Sequence, residues 1–329
     1  MAVKKVAILY KGGNPDANPL DILPEHEATI RAVAPHATVF RVREEDELLD
    51  FAPGCEVLCT WGMYKPAKFV AAAKQLQWIH VLSAGFDGIL SLPEVCERRL
   101  TITATKGIHG LPIAEHTLGM MLMFTRGLHL LRDRQNRKEW RRFMEADELA
   151  GKTIGIVGVG EIGKVMAEKY KLLGMKVLGT GPRPVQNENL DHFYLIHDLE
   201  KMLAQCDFVA LACPLTAATR GMIGEKQLRS MKPTAYLFNL ARGPVVDHDA
   251  LLRALKQGWI AGAGLDAHDP EPLPESSEFW GLPNVIISPK MSALSPYYMD
   301  RAIKVFAENL ARFDQGRPLL YQFDWDRGY

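Results

Sequence analysis

The sequence predicts an α/β protein with parallel, doubly wound sheets, and three observations carry that expectation. Short apolar runs alternate with stretches of 3.6-residue periodicity, a glycine-rich turn joins one such run to one such stretch, and the chain of 329 residues is long enough for two domains at ~100–200 residues each. The runs read as strands are Val6–Tyr10, Val57–Thr60, Trp78–Leu82, Thr153–Val157, Lys176–Thr180, Phe208–Ala212, Tyr236–Asn239, Ala261–Leu265 and Val285–Ser288. Helical periodicity marks Ile162–Leu173 and Ala250–Gln257, a long helix from about Pro112 to Leu131, and a last helix over Pro296–Asp314. Strand–helix alternation of this kind implies βαβ units. No internal repeat or low-complexity segment interrupts it.

The bulk composition narrows the function classes. Hydrophobic residues are 47% and charged residues 24%, the balance of an ordinary globular protein with full cores. The formal net charge is +0 and the pI about 7.1, so no basic excess is available for a phosphate backbone and nucleic acid is not expected as a partner. The N-terminus, Met1-Ala2-Val3-Lys4-Lys5, runs straight into Val6–Tyr10, too short for a signal segment or a membrane span. The five cysteines (Cys55, Cys59, Cys96, Cys206 and Cys213) are scattered, odd in number and without a CxxC pair, which points to neither a disulfide framework nor a metal cluster. A cytoplasmic protein without membrane association is expected.

Thr153–Val157 reads as a buried strand and leads directly into Gly158-Val159-Gly160-Glu161-Ile162-Gly163, after which Ile162, Val165, Met166, Tyr170 and Leu173 recur at helical spacing. In a dinucleotide-binding Rossmann unit the first glycine permits a tight turn, the second lets a pyrophosphate approach the backbone, and the third lets helix pack on strand. The phosphates then lie at the positive end of the helix. The next strand supplies the ribose contact, and in NAD sites it ends in an acid. Here it ends Gly179-Thr180-Gly181-Pro182-Arg183, with Gly181 about where the acid belongs. Losing the carboxylate removes repulsion against a 2′-phosphate, and Arg183 can pair with that phosphate in two places. NADP is therefore the expected cofactor, with NAD as the lesser one; alternatively Arg183 is a solvated loop cation.

Downstream, the motifs resemble those of the D-2-hydroxyacid dehydrogenase family, which includes glyoxylate/hydroxypyruvate reductases. They are Ser83-Ala84-Gly85-Phe86-Asp87, Ile113-Ala114-Glu115-His116-Thr117, the glycine loop, Pro214-Leu215-Thr216 with Thr219, Asn239-Leu240-Ala241-Arg242-Gly243, Gly264-Leu265-Asp266, Glu271-Pro272-Leu273-Pro274 and Ser288-Pro289. The resemblance implies two Rossmann-like doubly wound domains. A cofactor domain (109–289) would be inserted into a flavodoxin-like catalytic domain made of residues 1–108 and 290–329, with the active site in the cleft. It also implies a homodimer formed through the cofactor domains, for which Leu128–Phe143, carrying Trp140 among many charges, is the candidate arm. Substrate carboxylate would be held by the N–H groups of Ala84 and Gly85 and by Arg242. Cofactor would be held by Gly158, Gly160, Glu161, Ile162, Gly163, Thr180, Arg183, Pro214, Thr219 and Asp266, the last lying near the nicotinamide, and Glu271 would hold the proton-transferring residue. Arg242 also follows the strand Tyr236–Asn239, which places it at a carboxyl edge where α/β sheets bind ligands.

The chain departs from the family at one position. Where the family has its histidine after the proline of the last motif, this sequence reads Ser288-Pro289-Lys290. An ammonium supplies the proton that a ketone needs as it accepts hydride, and stabilises developing alkoxide. Deprotonating it for the reverse reaction costs more, since the reference pKa is ~10.4 for lysine and ~6.5 for histidine. The substitution thus favours an NADP-preferring 2-keto acid reductase making a (D)-2-hydroxy acid. The rival expectation is a catalytically silent dinucleotide sensor similar to the corepressors of this fold. Trp61, Met63, Tyr64, Phe86, Trp280, Tyr297 and Tyr298 are either apolar walls of a substrate pocket or plain core.

Overall fold

The computed structural model describes residues 3–10, 20–326 and 328; Met1 and Ala2 of the N-terminal segment lie outside them. The chain forms two compact units, one of Met1–Ile108 with Leu294–Tyr329, the other of His109–Ala293. The sequence reading put the return crossing after residue 289, whereas the contacts put it after Ala293. The reason is local: the N–H groups of Met291 and Ser292 are bonded to Asp266 of the second unit, at 2.9 and 3.0 Å.

The first unit holds a five-stranded parallel sheet of β1 (Lys5–Leu9), β2 (Thr38–Val42), β3 (Val57–Thr60), β4 (Trp78–Val81) and β5 (Thr101–Ala104), in the order β2-β1-β3-β4-β5. That is the flavodoxin-like order. Alternate residues divide between two cores: Ala7, Leu58, Ile79 and Ile102 face one, and Val6, Ile8, Val57, Cys59 and Trp78 face the other, against the helix Tyr298–Asp314. The aromatic residues Trp61, Phe86 and Tyr298 belong to these cores, while Met63 and Tyr297 are exposed.

The second unit holds seven parallel strands: β6 (Thr153–Val157), β7 (Lys176–Gly181), β8 (His192–Leu195), β9 (Phe208–Leu211), β10 (Tyr236–Asn239), β11 (Gly262–Leu265) and β12 (Val285–Ile287). Their order is β12-β11-β10-β9-β6-β7-β8, so the sheet reverses direction of growth between β6 and β9, where such folds bind ligands. Helices cover both faces, over cores that include Ile154, Ile156, Phe208 and Phe238 on one side and Val157, Val209, Leu237 and Ala263 on the other.

Three strands that the apolar runs did not reveal, β2, β5 and β8, all lie at sheet edges. An edge strand has a single neighbour and tolerates polar residues, as the half-exposed Thr38–Val42 and His192–Leu195 show. The expected helix Pro112–Leu131 is two helices, Gly110–Thr125 and Leu128–Asn136. Gly127 divides them with φ +61, and a Cβ there would lie 2.5 Å from the ring of Phe143. Phe143 therefore packs on its own chain, whereas Trp140 is fully exposed. No described helix is long and apolar enough to cross a membrane.

One buried polar group sets a pH dependence. His80 of β4 is fully buried, with Nδ1 2.8 Å from the Thr103 hydroxyl and Nε2 3.1 Å from that of Thr105. Thr105 donates to the carbonyl of Val81, so it accepts from Nε2–H, and Thr103, which takes a hydrogen bond from the Trp78 indole, donates to Nδ1. Both ring nitrogens are satisfied only in the neutral ring, and burial pushes the pKa from 6.5 down to about 3. Because the folded value lies below the unfolded one, this stabilisation is complete above pH ~6.5 and is lost as pH falls toward 3, at no more than ~1.4 kcal/mol per unit. Urea unfolding at pH about 7 and about 5 should show a smaller acid-induced loss of stability in His80→Gln than in the parent; parallel losses would contradict the assignment.

Candidate active site

The glycine turn is shaped by what each position excludes. Gly158 follows β6 at φ +99, and a Cβ there would lie 2.8 Å from the backbone of Cys213. Its N–H donates to the carbonyl of Thr180 at 2.9 Å, tying the turn to β7. A Cβ at Gly163 would come within 2.3 Å of the Gly158 carbonyl oxygen, so glycine lets the helix Glu161–Leu172 lean on the turn. Gly160 differs: nothing lies within 4 Å of a Cβ built there, leaving open space before the first-turn N–H groups of Glu161 and Ile162. At the end of β7 the buried Thr180 hydroxyl has no hydrogen-bond partner. Gly181 closes that strand, and Arg183 beyond it is exposed. After β9, Thr219 folds the next loop onto itself, its hydroxyl donating to the Pro214 carbonyl at 2.7 Å and accepting from Thr216 N–H at 2.8 Å. An open cradle at a helix start, beside an unspent buried hydroxyl, fits a dinucleotide phosphate and its ribose.

Across the same sheet, β10, β11 and β12 are adjacent and parallel, so their carboxyl ends share one edge. Arg242 follows β10, Asp266 and Glu271 follow β11, and Lys290 follows β12. The Lys290 ammonium donates to Glu271 Oε2 at 2.5 Å, and the other oxygen, Oε1, accepts the N–H of His268 at 3.1 Å. Lys290 itself has φ +53, a left-handed conformation uncommon for a side chain of this kind. Asp266, 4% exposed, holds it there. Its Oδ1 accepts from the Ser288 hydroxyl at 2.6 Å and Met291 N–H at 2.9 Å, and its Oδ2 from Ser292 N–H at 3.0 Å. Since Ser288 spends its proton on Asp266, the His116 Nε2 at 2.9 Å is the donor to the Ser288 oxygen.

The arginine loop is fixed as firmly. Asn239, fully buried at the end of β10, donates to the Arg242 carbonyl at 3.0 Å and accepts Ala241 N–H at 3.1 Å. A Cβ at Gly243 would lie 1.8 Å from the His268 carbonyl oxygen, so the loops after β10 and β11 touch backbone to backbone. His109 is the neutral member of this edge: burial, and then the charge of Arg242, push its pKa down to about 4.

In the first unit, Ala84 and Gly85 follow β4. The Ser83 hydroxyl donates to the Gly85 carbonyl at 3.0 Å and accepts Gly62 N–H at 3.1 Å, and a Cβ at Gly62 would lie 1.8 Å from that carbonyl oxygen. The N–H groups of Ala84 and Gly85 are left without an acceptor among the described residues.

A family model for the NAD-binding domain of D-isomer specific 2-hydroxyacid dehydrogenases matches residues 118–292, more than half of the chain. A glyoxylate reductase of Thermofilum pendens is 38% identical over 260 residues, which are 77% of this chain and 76% of that protein. The chain belongs to the D-isomer-specific 2-hydroxyacid dehydrogenase family. It is an NAD(P)-dependent oxidoreductase with two Rossmann-like domains. Among solved structures, a family protein from Aeromonas salmonicida superposes with a TM-score of 0.86 at 31% identity, over 98% of this chain and 99% of that one. Another, from Xanthobacter autotrophicus in complex with NADPH and MES, gives 0.83 at 26% identity over the full length of both.

The sequence gives no sign of a role for His116, His109 or His268. Their partners lie far off in sequence, 172 residues for His116 and Ser288, and no local spacing reveals them. If Asp266 is the clamp on residues 288–292, Asp266→Asn presents an amide donor where the loop needs acceptors. It is expected to lower the unfolding free energy by ~1–3 kcal/mol, read by urea unfolding; an unchanged midpoint would refute the clamp.

Proposed function

We propose that this dehydrogenase works as an NADP-preferring reductase of a 2-keto acid, yielding a (D)-2-hydroxy acid. The observation that carries the reading is the 2.5 Å pair between Lys290 and Glu271 at the sheet edge that also bears Arg242. The two side chains are 42% and 30% exposed, and a pair so exposed is worth roughly 0–1 kcal/mol to stability. Folding has little use for it; proton transfer does. The likeness to a protein named glyoxylate reductase supports the substrate class.

When bound, the reduced nicotinamide supplies the hydride. The chain's own part is to grip the substrate carboxylate with Arg242 and to turn the ketone toward Lys290. As the carbonyl carbon gains hydride, the C=O π pair moves to oxygen and takes a proton from the Lys290 ammonium. The resulting amine stays on Glu271 and regains its proton from solvent, which its exposure allows. The exposed Trp140, with Met144 beside it in sequence, is assigned to a homodimer contact through the arm Leu128–Phe143.

Cofactor choice follows from Gly181 and Arg183, and a structure related to this chain contains NADPH. NADPH should bind at least about tenfold more tightly than NADH, since a charge-assisted pair is worth ~1.5–3 kcal/mol. Gly181→Asp with Arg183→Ala should invert the preference; the new Cβ has room, its nearest neighbour being Phe193 at 3.4 Å. Equal dissociation constants by titration of the parent would end the claim.

Lys290→Ala should slow keto-acid reduction by ~10²–10⁴ while NADPH affinity holds. Rates followed at the nicotinamide absorbance over a panel of 2-keto acids decide this. An unaltered rate would exclude Lys290 as the donor, and a parent that binds NADPH but reduces no member of the panel would point to a sensor.

A further inference from the structure

His268 lies on the loop between Asp266 and Glu271, is 5% exposed, and so far has no role. Its Nε2 is 3.3 Å from the Ser288 carbonyl oxygen, which can only accept, so the ring carries its proton on Nε2. That same carbonyl also accepts the Lys290 N–H at 3.1 Å, closing the three-residue turn that delivers Lys290 at positive φ. One oxygen therefore joins the histidine ring to the backbone of the lysine. The other ring nitrogen, Nδ1, is buried with no hydrogen-bond partner, a cost that a residue kept only for packing would not need to bear.

We propose that His268 is a positioning residue for Lys290: its Nε2–H pins the Ser288 carbonyl, and through the 288–290 turn it keeps the ammonium on Glu271. The backbone of the same residue steadies the other partner, since His268 N–H holds Glu271 Oε1. Ring and peptide of one residue thus orient both halves of the pair. This rests on the reading of Lys290 as the proton donor only for its effect on rate; the effect on geometry is independent of it.

The experiment compares the full-length parent with His268→Phe, His268→Gln and His268→Asn. Phenylalanine keeps the ring and loses the donor, glutamine carries an N–H about as far out as Nε2, and asparagine falls short of it. Two readouts are taken: the rate at which Lys290 is modified by an amine-selective reagent, mapped by mass spectrometry, and steady-state kinetics with NADPH and a keto acid. Labelling of Lys290 should accelerate several-fold in the phenylalanine and asparagine variants. Their kcat should fall by about tenfold, as a displaced catalytic group loses rate, with KM and NADPH affinity held. Glutamine should restore both. Equal labelling in parent and His268→Phe would overturn the proposal, as would a glutamine variant no better than asparagine. Should His268→Phe not fold, the glutamine–asparagine pair decides alone. If Lys290→Ala proves harmless to the rate, the donor reading fails, while labelling still decides whether His268 positions the lysine.

Discussion

The carboxylate of Asp266 takes hydrogen bonds from Ser288, Met291 and Ser292, and the shape of the sheet edge depends on that grip. Lys290 sits at the centre of the held segment in a left-handed conformation, which costs a residue with a side chain on the order of 1–2 kcal/mol. Hydrogen bonds to an ionised acceptor are about twice as strong as neutral ones, and two here come from backbone groups that a turn of this kind would otherwise leave unpaired. The clamp offsets the strain. It also reaches across the sheet, for Ser288 in turn takes the His116 proton and so ties the helix Gly110–Thr125 to the end of β12.

The same economy governs the neighbouring loops. Gly243 lets the loop after β10 touch the carbonyl of His268, and Asn239 closes the arginine loop from below. Neither residue offers chemistry to a substrate. Each removes freedom from the loop that carries Arg242, so that side chains following three separate strands are held in place.

What the sequence made legible is what backbone sterics or charge dictate within a short window. The turn Gly158–Gly163 could be read because its first and third glycines answer to close contacts that any Cβ would violate. Buried central strands could be read because they are apolar throughout; the edge strands β2 and β8, half wet, could not, nor could β5, where threonines alternate with apolar residues. Helical periodicity ran through Gly127 because the interruption lies in one φ angle and one distant ring, Phe143. Arg242, Glu271 and Lys290 were recognised from motifs, but the contact of Lys290 with Glu271, the clamp of Asp266 and the tether of His268 are made between strands, and a single chain of letters does not order strands by itself.

The charged groups named at this edge are few, and one histidine among them is neutral. Arg242 and Lys290 bring two positive charges, and Glu271, bonded to Lys290, and Asp266, bonded to Ser288, Met291 and Ser292, bring two negative ones. A protonated His109 would add a third cation beside Arg242, but burial and the arginine itself keep it neutral down to pH about 4. The charges named here balance, and both carboxylates are already engaged within the chain. In the proposed reaction Arg242 answers the charge of the substrate carboxylate. That leaves the Lys290–Glu271 pair to meet the second charge of the reaction, the one that develops on the ketone oxygen and that a proton then cancels.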